Sequence, residues 1–490
     1  MNGILVVVIL YEILSVVLIG IYVTMKHRKS GGRGFTDANK SMSAPVVGVT
    51  IALTYLGSLH VFGVMELSWD IGFAAIWVSV AHVILICVIC LGSGRWVRRL
   101  NVGTVPEMMD MMYGSRIRVA TSCANAAVVF GMLTMEAQAI GIVFSSLTGS
   151  SIALGAIVGG VIGMLYVLLA GMEQIGILNV INTIVMFAGL IVTGFALGGF
   201  LPEGWYGVEN YYVESGQLEQ LSMLGSKELI IAFGIPTVIC VVFSQGISQQ
   251  GLQVTMAAKS EKTIFKALII AGLLNGMFTV FTVGIGVAAK SIPELAELGP
   301  KGAGPGLIVN YMPTWLVAWL LAAFLGALLS TFATNVMAPS SMFVQDIYKS
   351  LWKKDATEKE VTRYTRILIV ILSVAAVIAS FNLPPMVEGA NWLFSWLIPI
   401  FWLTVMGLFW KRSKAAAQIT LFITWGINLL WSFTGLPALL GMEGVLNGYV
   451  TLVLTLVIGV ITNLVIPGKP GLLNKKNSEQ IQNRAIEGGK

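Results

Sequence analysis

The stretch LTYLGSLHVFG at 53–63 interrupts an apolar run with two glycines, a serine and a histidine. A second stretch, FSQGISQQGLQ at 243–253, interrupts the apolar run that begins near residue 228 in the same manner. Helices broken at matching positions of two halves are typical of inverted-repeat transporters, which bind their solute near the membrane midplane. The alternative is that the glycines only allow neighbouring helices to pack closely.

The composition around these stretches is that of a membrane protein. The 490 residues are 56% hydrophobic and 11% charged, whereas soluble domains carry roughly 25% charged residues. Apolar runs long enough to cross a hydrocarbon core of about 30 Å recur along the chain. We predict an all-α polytopic membrane protein with thirteen transmembrane helices, at 4–25, 46–66, 72–94, 118–147, 151–170, 178–200, 228–250, 264–289, 312–345, 365–382, 391–410, 415–434 and 446–466. They form one transmembrane transporter domain at 1–467, with a core at about 46–411, followed by a polar cytoplasmic tail at 468–490.

The distribution of basic residues predicts the orientation. If the N-terminus is outside, 27 of the 30 lysines and arginines fall in inner loops, and Lys227, Lys290 and Lys301 fall outside. Basic residues accumulate in cytoplasmic loops, so this asymmetry predicts an outer N-terminus and a cytoplasmic C-terminus in the cell (inner) membrane. It also accounts for the net charge of +6 without a nucleic-acid partner. The first apolar run, at 4–25, lacks a basic segment before it. We therefore interpret it as a transmembrane helix that is retained rather than as a cleaved signal peptide.

Five motifs, in this order and spacing, resemble the sodium:solute symporter family. They are GFTDANKSMS at 34–43, TVPEMM at 104–109, QVTMAAKSEK at 253–262, ALLSTFATNVMAPSSMFVQDIYK at 327–349 and GLFWKRS at 407–413. The resemblance covers roughly 35–415. It implies a leucine-transporter-type fold, in which two inverted five-helix repeats form a ten-helix core, with one N-terminal and two C-terminal helices outside it. On this map spans two and seven are core helices one and six, and span nine is core helix eight.

The resemblance also implies a sodium site. The commonest site of the family uses two carbonyls of core helix one with a carbonyl and two hydroxyls of core helix eight. The matching positions are Leu53, Leu56, Ala327, Ser330 and Thr331. Oxygen ligands suit a hard monovalent cation. We therefore expect sodium as the coupling ion and as the only metal. No other cofactor is expected. The alternative is that both hydroxyls bond to carbonyls one turn earlier in their own helix.

One departure from the family concerns the number of ions. Members usually carry an acid at the start of core helix five, where this chain reads LNVIN at 178–182. In some members that acid takes part in sodium release or in a second sodium site. Its replacement by Asn179 therefore predicts a single sodium ion.

Polar side chains inside the spans indicate where the solute binds, because burying them in a membrane is costly. His60, His82 and Gln250 match, or lie near, positions that contact the solute in sugar-transporting relatives, and Glu136 lies at mid-membrane depth. The plausible neighbours are Thr54, Ser58, Trp77, Ser79, Phe243 and Gln249.

The role of Glu136 is open at the level of sequence. An acid at its depth must be protonated, paired with a cation or in contact with water. Pairing predicts a cationic or amine-bearing solute. The other possibilities are a structural hydrogen bond to a neighbouring helix and a proton relay with a histidine. At the outer end of span two, Glu66 and Asp70 either concentrate cations in a vestibule or are solvated loop charges.

The sequence therefore predicts a secondary active transporter that works as a monomer, performing sodium-coupled symport of a small organic solute by alternating access. Moving one charge inward at about 100 mV releases roughly 2.3 kcal/mol, to which the sodium gradient adds. The alternatives are a proton-coupled symporter or exchanger of the same fold and a transport-inactive nutrient sensor. An ion channel is not favoured because a filter-like loop is missing, and an enzyme is not expected because the sequence contains neither HExxH nor GxSxG.

Overall fold

The computed structural model describes residues 2–28, 38–168, 171–383 and 385–473. The start of the motif at 34–43 and most of the predicted tail, 474–490, lie outside these residues. The side of the molecule that the basic residues predict to be cytoplasmic is called the inner side, and the opposite side is called the outer side.

Helices make up nearly all of the described chain. The first twelve are α1 (Asn2–Arg28), α2 (Ala44–Tyr55), α3 (Val64–Ile71), α4 (Trp77–Val88), α5 (Gly94–Leu100), α6 (Val105–Tyr113), α7 (Ser115–Thr148), α8 (Ile152–Leu168), α9 (Met172–Phe200), α10 (Gly204–Glu214), α11 (Lys227–Leu229) and α12 (Ile235–Gln245). They are followed by α13 (Gln249–Met256), α14 (Glu261–Lys290), α15 (Pro293–Ala296), α16 (Gly299–Tyr311), α17 (Thr314–Met342), α18 (Glu358–Ala379), α19 (Met386–Ser395), α20 (Ile398–Val405), α21 (Lys414–Phe433), α22 (Leu436–Leu439) and α23 (Asn447–Val465).

Membrane-spanning segments follow from length and composition. Within the described residues, ten helical segments are long and apolar enough to cross a membrane, and three shorter apolar helices accompany them at Leu10–Met25, Ala44–Tyr55 and Ile152–Leu168. The chain is therefore a multi-pass membrane protein. The count of thirteen spans and the inverted repeat remain predictions.

Both stretches that interrupt apolar runs are breaks in helices, as predicted. In the first break α2 ends at Tyr55, Leu56 leaves helical geometry at φ −91° and ψ 58°, and a π-helical turn at Leu59–Gly63 leads into α3. In the second break α12 ends at Gln245 and Ser248 is extended, with φ −70° and ψ 135°, before α13 begins. The two are named the first break (56–58) and the second break (246–248).

One helix lies at the centre of the bundle. Every residue of α17 from Leu320 to Met342 is buried. It packs most extensively against α7 and α9, and α1 covers it from the outside of the bundle. An apolar helix that is buried on all sides is typical of a bundle core, so polar groups on α17 must find partners inside the protein.

Polar contacts near helix ends join neighbouring elements at both ends of the bundle. On the inner side Arg98 donates to the carbonyls of Ala258 and Lys259, and Arg118 donates to Asp346 at 2.7 Å. On the outer side Lys290 donates to the carbonyl of Trp69 at 2.6 Å, near the C-terminus of α3, where a cation is favourable. These contacts tie the ends of the broken helices to the rest of the bundle.

A two-stranded sheet lies at the inner end of α20. Strand β1 (Lys411–Arg412) pairs antiparallel with β2 (Lys469–Pro470). The contact with the bundle extends past the two strands, because the Leu472 N–H donates to the carbonyl of Gly407 at 2.9 Å. The first residues of the predicted tail are therefore fixed to the bundle.

Candidate functional site

Three of the residues predicted to hold sodium, Leu53, Ala327 and Thr331, are in contact beside the first break. The hydroxyl of Thr331 on α17 donates to the carbonyl of Leu53 at 2.8 Å and to that of Ala327 at 3.1 Å. Thr331 therefore makes both the bond within its own helix and the bond across to α2. A hydroxyl that donates its proton keeps lone pairs for a cation. The donor set consists of neutral oxygens, which fits a monovalent ion.

Ser330 completes this group from the neighbouring position of α17. Its hydroxyl donates to the side-chain oxygen of Asn179 on α9 at 2.5 Å. The amide nitrogen of Asn179 has no hydrogen-bond partner in the described part of the chain. Asn179 therefore orients the Ser330 hydroxyl without adding a charge to the site. Leu56, the fifth predicted ligand, is buried in the first break itself.

Glu136 on α7 binds the first break directly. Its carboxylate accepts the backbone N–H of Ser58 at 3.1 and 2.9 Å and the Ser58 hydroxyl at 2.8 Å. A Cβ atom on Gly57 would overlap the carboxylate and lie 2.8 Å from the methyl group of Thr331. The absence of a side chain at Gly57 thus lets α7 and α17 approach the break from two sides. Glu136 is 1% exposed.

A small closed cavity lies beside the first break, at the centre of the bundle. Its volume is about 20 Å³, enough for about one water molecule. Four of the residues predicted to bind solute line it, namely Thr54, His82, Glu136 and Gln250, together with Thr331. The centre is therefore tightly packed in this conformation, because a solute of several heavy atoms needs a larger cavity.

The two histidines predicted for the solute site touch each other. The ring centroids of His60 and His82 are 4.3 Å apart, with the rings edge to face. His82 bonds to the carbonyl of Val78 through Nδ1 at 2.7 Å, whereas neither ring nitrogen of His60 has a partner in the described chain. His60 is thus a buried group with its hydrogen-bonding capacity unused.

Gln250 belongs to a set of side chains near the second break that have polar atoms without hydrogen-bond partners. Its amide nitrogen donates to Gln245 Oε1 at 2.9 Å, which leaves Gln250 Oε1 and Gln245 Nε2 without partners among the described residues. The hydroxyls of Ser244 and Ser248 are likewise buried and unpartnered there. Buried polar groups are usually satisfied, so this cluster has spare donors and acceptors beside the cavity.

Four residues predicted as solute neighbours have other partners. Trp77 donates to the carbonyl of Leu224 near the outer surface, and Ser79 donates to the carbonyl of Asn275. The ring of Phe243 packs between Phe401 and Trp402. Gln249 accepts the backbone N–H of Val105 at 2.8 Å, at the start of α6. None of the four lines the central cavity in this conformation.

Two larger cavities lie on either side of the closed centre. The outer cavity, of about 740 Å³, is lined by Glu66, Asp70, Glu388 and Trp392 among others. Glu66 lies 3.9 Å from Lys301. The inner cavity, of about 570 Å³, is bordered by Arg118 and Lys349. Glu66 and Asp70 therefore face the outer cavity, and whether they concentrate cations there or are simply solvated charges stays a prediction.

Sequence reasoning missed several polar residues around the centre. Asn335 and Gln245 line the central cavity, and Asn335 has no side-chain partner in the described residues. Glu12 on α1 is fully buried. The signal that could have found them was in the sequence, because each is a polar or acidic residue within an apolar span.

Comparisons with known proteins bear on the family and the fold. A model of the sodium:solute symporter family matches residues 35–421. The chain is 24% identical over 416 residues to the uncharacterized symporter YidK of Escherichia coli (strain K12), covering 79% of this chain and 71% of that protein. It is 21% identical to the sodium/glucose cotransporter of Vibrio parahaemolyticus, over 84% of this chain and 82% of the relative.

Solved structures share the fold. A Na+-coupled sialic acid symporter in a substrate-bound outward-open state matches with a TM-score of 0.80 at 16% identity, over 95% of this chain and 99% of that one. Mhp1, a nucleobase-cation-symport-1 family transporter in a closed conformation, matches with a TM-score of 0.57 at 10% identity, over 91% and 97% of the two chains.

Proposed function

Because this chain belongs to the sodium:solute symporter family, we propose that it couples the inward movement of one sodium ion to the uptake of a small polar solute by alternating access. The observation that supports this most strongly is the group of oxygens at the first break. Thr331 contacts carbonyls of both α2 and α17, so an ion bound there holds the two helices together.

The ion ligands we propose are the carbonyls of Leu53, Leu56 and Ala327 with the hydroxyls of Ser330 and Thr331. Carbonyl and hydroxyl dipoles balance part of one positive charge, and the lack of a carboxylate among these ligands matches a single monovalent ion. Asn179 keeps the Ser330 proton directed away from the ion, because its side-chain oxygen accepts that proton. One sodium ion for each solute is the stoichiometry we expect.

The solute site we propose surrounds the central cavity. His60, His82 and Gln250 face it or adjoin it, and Gln245 and Asn335 add amide groups. The spare groups are neutral donors and acceptors. Glu136 already accepts three hydrogen bonds from Ser58, so a cationic solute would have to compete with them. We therefore favour a neutral or zwitterionic solute rich in hydrogen-bonding groups over a cationic one.

Alternating access would use the two larger cavities in turn. The closed centre separates the outer cavity from the inner one. Opening toward either side needs one broken helix to move relative to α7 and α17. Contacts such as Arg118 to Asp346 on the inner side would have to break for release.

The test uses purified protein in proteoliposomes with a panel of sugars, amino acids, amines and carboxylates. We expect uptake to need sodium, with a Hill coefficient for sodium near one. Ser330→Ala and Thr331→Ala should each raise the half-saturating sodium concentration about tenfold. Each substitution removes one oxygen ligand, and we take its contribution to be similar to that of one hydrogen bond, about 1 kcal/mol or more.

The matched control is Thr334→Ala. Thr334 lies one turn further along α17, is equally buried, and its hydroxyl donates to the carbonyls of Ser330 and Thr331 within the same helix. It should keep the wild-type sodium dependence. Full uptake in choline medium would refute sodium coupling and favour a proton-coupled carrier. Solute binding without uptake would favour a nutrient sensor, and unchanged sodium dependence in both ligand variants would place the ion elsewhere.

A further inference from the structure

Glu12 is a buried acid to which the proposed transport cycle assigns no role. It lies on the inward face of α1 with Val16 and Val23, whereas Leu10, Leu14 and Leu18 are exposed. Glu12 is 0% exposed, and neither carboxyl oxygen has a hydrogen-bond partner in the described part of the chain. It lies about 15 Å along the helix from Asn2, near mid-membrane depth.

The surroundings of Glu12 connect it to the core. A Cβ atom on Gly326 of α17 would lie 3.2 Å from Glu12 Oε1 and 2.9 Å from the side chain of Asn182. Asn182 accepts the Tyr11 hydroxyl at 3.2 Å and donates to Tyr166 at 2.9 Å and to the Gly326 carbonyl at 3.3 Å. Glu12 thus faces the junction of α1, α9 and α17.

That junction adjoins the proposed sodium site. Gly326 directly precedes Ala327, whose carbonyl is a proposed ligand, and Ser330 follows one turn later. On the other helix, Asn179 lies one turn from Asn182 and accepts the Ser330 proton. One turn is about 5.4 Å, so a charge on Glu12 acts on a sodium ion at short range through buried protein, where screening is weak.

A proton suits Glu12 better than a second metal ion. An isolated carboxylate away from water binds a proton rather than remain charged. A proton needs one oxygen, and Glu12 offers two.

Other titratable groups on the packed helices are few. Tyr11 and Tyr166 face the same junction as Glu12. The helix α17 carries none, and Glu173 lies at the inner end of α9. On α7 the groups are Arg116, Arg118, Cys123 and Glu136. Arg118 is paired with Asp346 and Glu136 is bound by Ser58, so within the described chain Glu12 is the carboxyl without a partner at this junction.

We propose that Glu12 is a proton-binding site coupled to sodium: its carboxyl holds a proton while the sodium site is empty and releases it to solvent when sodium binds. The inference rests on the proposed sodium site. A charged Glu12 attracts sodium and a protonated one does not, so sodium affinity should rise with pH. By linkage, sodium should lower the affinity of Glu12 for its proton by the same factor.

The experiment measures sodium binding and proton release on the same full-length protein in detergent. Sodium chloride, with choline chloride as the blank, is added in weak buffer with a pH indicator between pH 5.5 and pH 9. The dissociation constant of sodium is followed by tryptophan fluorescence. Wild type should release a proton on binding sodium, and its affinity should rise by about 5- to 100-fold across the range, the usual span of coupling between sites.

Variants separate Glu12 from other groups. Glu12→Gln keeps the shape of the protonated form, so it should release no proton and show a sodium affinity that does not vary with pH. Tyr11→Phe removes a neighbouring hydrogen bond but no carboxyl, and should keep the wild-type pH dependence. Glu12→Asp retains the acid and should keep the pH dependence as well, which covers the case in which Glu12→Gln is unstable.

Two outcomes overturn the inference. One is that the wild-type protein binds sodium with no pH dependence and releases no proton. That result would contradict the role of Glu12 but not the proposed sodium site. The other is Glu12→Gln retaining the full wild-type pH dependence. Failure of the sodium site itself is seen separately, as unchanged sodium binding in Ser330→Ala.

Discussion

The two breaks use their polar groups in opposite ways. At the first break, the Ser58 N–H and hydroxyl are both bound by Glu136, and the Leu53 carbonyl is bound by Thr331. At the second break, the hydroxyls of Ser244 and Ser248 and one atom each of Gln245 and Gln250 are buried without partners in the described chain. The first break itself is held from two helices, with unpartnered ring nitrogens only at His60 just after it among the groups named here, and the second break keeps spare hydrogen-bonding groups within it and on both of its flanks.

This difference is consistent with the sites we propose, with the ion beside the first break and the solute contacting groups that flank the second. An ion needs ligands fixed in advance, because oxygens that must be repositioned add a cost to each binding event. A solute needs groups that are free to bond with it, since displacing existing protein hydrogen bonds would offset the gain. On this proposal, solute binding would offset the cost of burying unpaired groups near the second break.

The largest expected effect comes from filling the space at the first break. Gly57→Ala would force its Cβ atom against the Glu136 carboxylate and the Thr331 methyl group, which approach from two fixed helices. We expect sodium-dependent uptake to fall below about a tenth of wild type, since overpacking typically costs about 1–3 kcal/mol. Gly272→Ala is the matched control, because its Cβ would meet nothing within 4 Å. Equal activity of the two variants would show that the first break is not tightly held.

A smaller effect is expected from Glu136→Gln. One amide oxygen replaces a carboxylate that accepts three bonds, and a charge-assisted hydrogen bond is worth about 1.5–3 kcal/mol. The melting temperature should fall and the half-saturating sodium concentration should rise, while solute affinity at saturating sodium stays within about threefold of wild type, about 0.7 kcal/mol. A solute-specific loss of about thirtyfold or more would instead mean a charge pair with a cationic solute. Loss of the pH dependence of uptake alone would identify a proton relay.

The smallest effect should follow from Gln250→Ala at the second break. Removing one group that bonds the solute costs about 0.5–1.5 kcal/mol, which corresponds to about a two- to tenfold loss of solute affinity. The half-saturating sodium concentration measured without solute should not change, because the proposed ion ligands lie on α2, in the first break and on α17. Calorimetry or a thermal-shift titration measures both quantities. A shift in sodium affinity as large as the shift in solute affinity would remove the distinction between the two breaks.

Local sequence features were sufficient to predict that the chain is a bundle of apolar helices with two interrupted ones. The lipid-facing character of the helices follows from apolar runs of about 20 residues. The glycine and serine residues at 56–58 and 246–248 lower helix stability where the breaks occur. The motif at 327–349 also contains Thr331, whose hydroxyl donates to the Leu53 carbonyl.

The sequence could not assign partners to the polar residues within the helices. Gln249 and Gln250 are adjacent, yet Gln249 binds the start of α6 and Gln250 faces the central cavity. A change of one position on a helix turns a side chain by about 100°, and the sequence does not fix which helix that side faces. Trp77 and Phe243 were placed near the solute for the same reason, and their rings pack elsewhere in this conformation.

The sequence alone determined which segments lie in the membrane, where two helices are interrupted and which family the chain resembles. These features depend on composition and on the order of neighbouring residues. Only the tertiary structure decided that Glu136 binds Ser58, 78 positions away along the chain, and that Glu12 meets the junction of α9 and α17. Such pairings depend on how rigid helices pack and rotate against one another. That packing is set by the whole bundle at once, and no single segment carries it.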